Sequence, residues 1–172
     1  MFLPPPLPRT LFQEIGKIVV VWTTIEQSMI LHTSAMAAMR TDGKPVDYLR
    51  MDFTRLRKKW FALCKENFDS KTFNKIVNPL NADLANQSET RGIIVHGLWD
   101  HIGRGKYRLT CYEQKDTLIS YENDVTLGYL QGFTHQSYLL SLRLERFASG
   151  KDGFGEQTRS FLKIVAPVEP RN

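Results

Sequence analysis

The side chains in this sequence whose types and spacing could perform chemistry are those of Arg91 and His96, which are separated by four residues. Histidine can move protons near neutral pH, and a guanidinium can stabilise a phosphate as its negative charge rises. These two groups suffice for cleavage of RNA, in which the ribose 2′-hydroxyl attacks the adjacent phosphate. The reaction needs no metal and no added cofactor, and we therefore predict neither.

Arg91 and His96 fall near the end of a predicted helix, where their spacing places them about 140° apart around the helix axis. Glu89, Gly92, His96 and Trp99 form a single stripe on this helix, and Arg91 flanks that stripe. Two copies of the helix related by a two-fold axis would place the arginine and the histidine of both chains around one groove. Gly92 favours this pairing because it lets the helix backbones approach closely. We therefore predict a homodimer formed through this helix, with Glu89 and Gly92 supporting the catalytic pair.

Glu26 lies inside an apolar stripe of the first predicted helix. The other members of the stripe are Phe12, Ile15, Val19, Trp22 and Met29. Burying an unpaired carboxylate is costly, so we expect Glu26 to have a cationic partner or to lie at a dimer surface. Arg91 is the candidate partner, and in that arrangement Glu26 would orient the arginine as a further supporting residue.

The motif resembles the signature of the HEPN domains, which is an arginine, four to six intervening residues and a histidine late in a helix. Val95, Gly97 and Trp99 around the histidine look like the "hHGxW" ending common in bacterial members. The run from Trp22 to Glu26 resembles their first helix. The resemblance spans roughly residues 11–148, and it implies a helical bundle that dimerises through the motif helices.

In many HEPN members the resemblance implies metal-independent ribonuclease activity in toxin, antiphage or RNA-processing systems, with His96 as acid or base and Arg91 as phosphate stabiliser. Other members only bind nucleotides or partners. Many active members place a polar residue directly after the arginine, where this chain has Gly92. One alternative is therefore a non-catalytic dimeric module that binds a partner protein, RNA or a nucleotide. Another is a structural role, in which Arg91 pairs with a core carboxylate and His96 caps its own helix.

Hydrophobic periodicity predicts a mainly α-helical fold, an up-and-down bundle of about four main helices with a small β-hairpin before the last helix. The first half of the chain is predicted to form a helix over 11–39, a turn at 41–47 and a helix capped by Asp52. A short segment at 73–77 follows, and then a helix that begins at Asn78 and Pro79 and ends near His96 or Gly97. The last predicted elements are a hairpin of 106–113 and 117–121 and a helix over 127–147. We expect one domain over 11–148, between a proline-rich segment at 1–10 and a tail at 149–172.

The chain carries a formal net charge of +5, and much of its basic charge is clustered. Such clusters suit a polyanion such as RNA, although a solvated surface is an equally good interpretation. The first cluster contains Arg50, Arg55, Arg57, Lys58 and Lys59, and the second contains Arg104, Lys106 and Arg108.

The cellular compartment is indicated by cysteine use and by the apolar segments. Cys64 and Cys111 lack the paired spacing of disulfide frameworks and metal knots. The amino-terminal segment, residues 1–9, lacks the pattern of a signal peptide, and charges interrupt the longest apolar stretch, residues 15–30. We therefore expect a reduced, cytoplasmic compartment and no membrane association.

The remaining histidines and the aromatic residues have structural roles as their first interpretation. His32, His101 and His135 lack metal-ligand spacing, so we expect surface or packing residues. The tryptophans are expected to anchor the core, and they are Trp22, Trp60 and Trp99. The tyrosines of the predicted hairpin are expected to pack against the bundle rather than to stack on bases, and they are Tyr107, Tyr112 and Tyr121.

Overall fold

The computed structural model describes residues 7–38, 48, 50–114 and 118–148, with side chains for all of them except 111–114, 118–123 and Ala148. Over these residues the chain forms four long helices and one antiparallel sheet, which confirms the predicted mainly helical class with a small β element before the last helix. The helices are α1 (Arg9–Ala38), α2 (Phe53–Asn67), the short α3 (Ser70–Thr72), α4 (Asn78–His96) and α5 (Leu127–Ala148). The strands are β1 (Leu98–Gly103), β2 (Lys106–Gln114) and β3 (Leu118–Thr126). The turn predicted at 41–47 and the tail at 149–172 lie outside the described residues.

The second helix begins and folds as its sequence predicts. Asp52 has an extended backbone, and its side chain accepts a hydrogen bond from the Arg55 amide at 2.9 Å, which satisfies a backbone group that the helix leaves unpaired. Leu56, Trp60 and Leu63 are buried on one face of α2. Lys58 and Lys59 are exposed on the other side.

α4 begins at Asn78, as the sequence predicts, but Asn78 does not cap it, because the chain is already helical from Ser70. Asp69 caps α3 by accepting hydrogen bonds from the amides of Lys71 and Thr72, each at 3.0 Å. A π-helical turn, Phe73–Val77, then leads directly into α4, and the Asn78 side chain donates to Asn74 rather than capping a helix. Pro79 explains the wider turn, since a proline in a regular α-helix lacks an amide hydrogen and its ring would collide with the carbonyl four residues earlier.

The sheet contains the predicted hairpin and one strand that the sequence analysis missed. β2 pairs antiparallel with β3, from Lys106 opposite Thr126 to Gln114 opposite Leu118. β1 pairs antiparallel with the other edge of β2, and Gly103, with φ 91°, and Gly105, with φ 71°, let the chain reverse between them. β1 shows no apolar alternation, because its side chains are exposed or half-buried, so period-two patterning gave no signal for it.

The chain divides into two compact units, each of which has its own buried residues. Unit 1 takes residues up to 23 and residues 86–139, and unit 2 takes residues 24–85 and those from 140 onward. The described core of unit 1 includes Leu11, Ile18, Trp22, Ile94, Tyr107, Leu109, Val125, Leu130 and Phe133. The described core of unit 2 includes Ile25, Met29, Leu56, Trp60, Leu63, Leu80, Leu84, Leu140, Leu144 and Phe147. The prediction of one domain over 11–148 stays a prediction.

Among the described helices, none combines the length and the apolar character that crossing a bilayer requires.

Candidate functional site

The candidate site occupies the last turns of α4, within unit 1. Ile94 is buried and holds this part of the helix against the core of the unit. Glu89, Gly92 and His96 lie roughly 140–160° around the helix from Ile94, so they face away from that core. Accordingly Glu89 and His96 are exposed and Gly92 is half-exposed. The supporting residues Glu89 and Gly92 therefore share an accessible stripe with the histidine, which we call the motif face.

Gly92 leaves this face open. A methyl group placed on its Cα would meet no atom of the described residues within 4 Å, the nearby backbone of α4 aside. Among these residues the glycine is thus not required for packing around this turn of α4. Its small size serves a contact with something outside the described residues, or no structural purpose.

Arg91 lies roughly 100–160° around the helix from the residues of the motif face and is half-buried. Its Nε atom is shielded from solvent and has no hydrogen-bond partner among the described residues. A buried donor without a partner costs about 1–3 kcal/mol, so an acceptor brought to this guanidinium would stabilise it. Glu26, its predicted partner, is half-buried and belongs to unit 2, and the pairing of the two stays a prediction.

The end of α4 is capped by Trp99 and not by His96. The indole Nε1 of Trp99 donates to the Ile94 carbonyl at 3.0 Å, and the Gly97 amide donates to the Ile93 carbonyl at 2.9 Å. These bonds satisfy two of the carbonyls that a helix end leaves unpaired. The interpretation of His96 as the cap of its own helix therefore loses its main support, and the exposed imidazole stays available.

Trp99 also corrects the predicted stripe, because it is not on the helix. α4 ends at His96, and Trp99 lies in β1, where its half-buried ring packs edge-on against Tyr107 at a centroid distance of 6.4 Å. His101 contacts the same tyrosine, with ring centroids 5.5 Å apart. Tyr107 is buried, in agreement with its predicted packing role. The indole of Trp99, three residues after His96, thus holds the first strand against the helix end.

The two basic clusters belong to different units, and each contains both paired and exposed charges. In unit 2, Arg55 forms an ion pair with Asp52 at 3.1 Å and Arg57 donates to Asn81 at 2.7 Å. In unit 1, Arg108 lies 3.7 Å from Asp124. The charged side chains of Arg104 and Lys106 are exposed in unit 1, at the turn between β1 and β2.

The described residues contain no group of three or more histidine, cysteine or acidic side chains that could hold a metal ion. Cys64 is a free, buried thiol in unit 2, and its burial raises its pKa. The side chain of Cys111 lies outside the part of the structure that is described. The Cys64 thiol is therefore an unreactive residue of the core.

Comparison of the chain with protein-family models, with curated proteins and with solved structures finds no match. The resemblance to HEPN domains, the homodimer and the roles of Arg91, His96, Glu26, Glu89 and Gly92 therefore stay predictions. They depend on the motif and on the environment of the motif face.

Proposed function

We propose that this protein is a HEPN-like, metal-independent endoribonuclease that acts as a cytoplasmic homodimer through the motif face of α4. The observation that carries the proposal is the exposed imidazole of His96 at the end of a helix where Trp99 donates to the Ile94 carbonyl. An imidazole on an accessible face is the group that acid–base chemistry requires.

The angle between the two proposed catalytic side chains supports a pairing of two motif faces. Arg91 and His96 of one chain diverge by about 140° around α4, so one helix does not direct both groups to the same phosphate. A two-fold axis near Gly92 would bring two such helices together and surround one groove with both pairs. The open space around the Gly92 Cα leaves room for the second helix.

In the proposed reaction one His96 imidazole accepts the proton of the ribose 2′-hydroxyl as its oxygen attacks the adjacent phosphorus. The bond from phosphorus to the 5′-oxygen breaks, and that oxygen receives a proton from the second His96, in its protonated form. Arg91 stabilises the extra negative charge on the phosphate oxygens through its guanidinium. The products are a 2′,3′-cyclic phosphate and a free 5′-hydroxyl.

The proposed substrate is RNA because exposed positive charge lies in the same unit as the motif. Arg104 and Lys106 are exposed at the far end of β1, the strand that begins two residues after His96. Such charges neutralise phosphates without reading sequence. An RNA strand lying along β1 would reach both these side chains and the histidine.

A second candidate is a non-catalytic dimeric module that binds a partner protein, RNA or a nucleotide. Gly92 favours it, because the position one helical turn before His96 carries no polar side chain to orient the imidazole.

The two candidates are separated by incubating the purified full chain with mixed RNA in the presence of a chelator. The proposal predicts fragments that end in cyclic phosphate, and a rate at least about 100-fold lower for His96→Ala. His135→Ala is the matched control, since His135 is another exposed histidine of unit 1 and its loss should leave the rate unchanged. RNA that stays intact with the unaltered chain, or equal rates for His96→Ala and the control, would overturn the enzyme and favour the binding module.

A further inference from the structure

A small cavity lies beside the motif face, inside unit 1. Its volume is about 240 Å³, and it opens between α4, β2, β3 and the first turn of α5. Sites for drug-sized ligands typically have roughly 300–1,000 Å³, so this one suits a single ring system.

The walls of the cavity fit a flat ring. Aliphatic side chains form much of the lining, from Ile93 and Ile94 of α4, Leu109 of β2 and Val125 of β3. Tyr129 of α5 also contributes to the lining, and about half of its surface is exposed, at 52%. An accessible aromatic ring beside aliphatic walls is an arrangement on which a nucleobase can stack.

The polar groups of the cavity are hydrogen-bond acceptors. Asp124 presents a carboxylate. The Thr90 hydroxyl already donates to the Asn86 carbonyl at 3.2 Å, so it is left to accept. The ligand edge that faces these groups must therefore carry donors.

The charge beside Asp124 argues for a neutral ligand. Arg108 Nε lies 3.7 Å from the Asp124 carboxylate and balances its charge. A cationic ligand would meet the guanidinium as well as the carboxylate, whereas a neutral ligand with two adjacent N–H donors would use both carboxylate oxygens. Among the nucleobases guanine has such an edge with two adjacent donors, because it carries an imino N–H next to an exocyclic amine. Adenine, cytosine and uracil each place an acceptor next to their donor.

The cavity also lies close to His96 along α4. Ile93 lies three residues before His96, and residues at this spacing are neighbours on a helix surface. A base held in the cavity would thus place its own ribose and phosphate near the imidazole.

We propose that this cavity binds a guanine base, stacked on Tyr129 and read by the carboxylate of Asp124. The inference deepens the proposed function, and it rests on that function for RNA as the source of the base. Free guanine nucleotides have the same ring and are the second source that the experiment distinguishes.

The test measures binding of the full chain to short fluorescent oligonucleotides with 2′-O-methyl riboses, which lack the attacking hydroxyl and cannot be cleaved. Four oligouridylates that differ at one central base are compared with guanosine monophosphate. The guanine oligonucleotide should bind roughly tenfold more tightly than the other three, which is within the range of one two-bond contact to a base edge. Equal affinity for the four oligonucleotides and no binding of the free nucleotide would overturn the proposal.

Paired variants assign the effect to the cavity. Asp124→Asn should abolish the guanine preference. Asp100→Asn should preserve it, because Asp100 lies opposite Arg108 in β1, carries the same charge and does not line the cavity. Tyr129→Ala should weaken binding of the guanine oligonucleotide roughly tenfold, and Tyr129→Phe should not. A preference that survives Asp124→Asn, or is lost equally in Asp100→Asn, would contradict the assignment.

Failure of this inference and failure of the ribonuclease are distinguishable because the probes are not cleaved. A guanine preference in a chain that leaves RNA intact would support the cavity and reject the enzyme. Cleavage that depends on His96 without any base preference would reject the cavity and keep the enzyme. Tight binding of guanosine monophosphate with no preference among the oligonucleotides would support the base pocket and reject RNA as its source.

Discussion

The end of α4 in unit 1 and the aromatic cluster of unit 2 both contain a histidine and a tryptophan, and they use them in opposite ways. In unit 2, Trp60 is fully buried and packs edge-on against Phe147 at 5.7 Å, and His32 lies 6.4 Å from the same ring. In unit 1, Trp99 is half-buried and His96 is exposed. The residue type alone therefore does not indicate a site.

The two regions differ in how the polar groups of these side chains are used. The indole N–H of Trp99 donates a hydrogen bond to the Ile94 carbonyl, so the His96 imidazole is not needed to cap that carbonyl. In unit 2 the Nδ1 of His32 is enclosed without a partner among the described residues, and burial lowers the pKa of His32 to about 4. One histidine is kept neutral by its surroundings, and the other is exposed.

The largest effect that tests this contrast is expected from Trp60→Ala. Loss of a fully buried tryptophan should lower the free energy of unfolding by about 3–5 kcal/mol, because it removes apolar burial and leaves a cavity. Urea denaturation measures the change. Trp99→Ala should cost clearly less, since its ring is half-buried. Equal losses of unfolding free energy for the two variants would contradict the difference in burial between Trp60 and Trp99.

A pH effect should follow from His32. Its folded pKa lies below the ordinary value of 6.5, so the unfolded chain binds the proton more tightly. This contribution to stability is complete above pH 6.5 and is lost as the pH falls toward 4, by roughly 3 kcal/mol at most. Unfolding in urea at pH 7.5, 6 and 5 should show a smaller decline for His32→Leu than for the unaltered chain. His135→Gln, at an exposed histidine, should decline as the unaltered chain does, and an unchanged profile in His32→Leu would contradict the account.

A smaller effect is expected from Trp99→Phe. The phenyl ring keeps much of the packing against Tyr107 and removes the N–H that caps α4, so the loss should be about 1 kcal/mol. Hydrogen exchange of the Gly97 amide should be faster in the variant, because that amide closes the last turn. An unchanged exchange rate would show that the indole is not what holds the helix end.

The smallest effect concerns the open motif face. Gly92→Ala should raise the stability of the isolated chain by up to about 1 kcal/mol, because alanine is the better helix former and its methyl group meets no atom of the described residues within 4 Å. Thermal unfolding at low protein concentration checks this value. A destabilised variant at that concentration would mean that the face is covered within a single chain.

Several elements were predictable from sequence because each rests on a local cause. Asp52 has a side chain that can cap α2, a glycine follows the end of α4 at His96, and an apolar period marks the span of α5. The π-helical turn and β1 were not predictable in this way. The first depends on how Pro79 is accommodated in a continuing helix, and the second on pairing with a strand that comes later in the chain.

The candidate site was predicted in part. The spacing of Glu89, Gly92 and His96 placed these residues on one accessible face, but it gave Trp99 a place on the helix that the start of β1 excludes. The cavity beside the motif face gave no sequence signal, because its lining residues come from four separate elements. Such a cavity is specified by tertiary packing and has no pattern along the chain.

The most direct test of the central claim, that two motif faces form one site, refolds unaltered chains together with an equal amount of His96→Ala chains. The proposed reaction uses one His96 from each chain, so a dimer with a single intact histidine should be inactive. Random pairing leaves about a quarter of the dimers fully unaltered, and the mixture should therefore keep roughly a quarter of the activity of the same amount of unaltered protein. A mixture that keeps half of that activity, or an unaltered chain that stays monomeric while it cleaves RNA, would contradict the account.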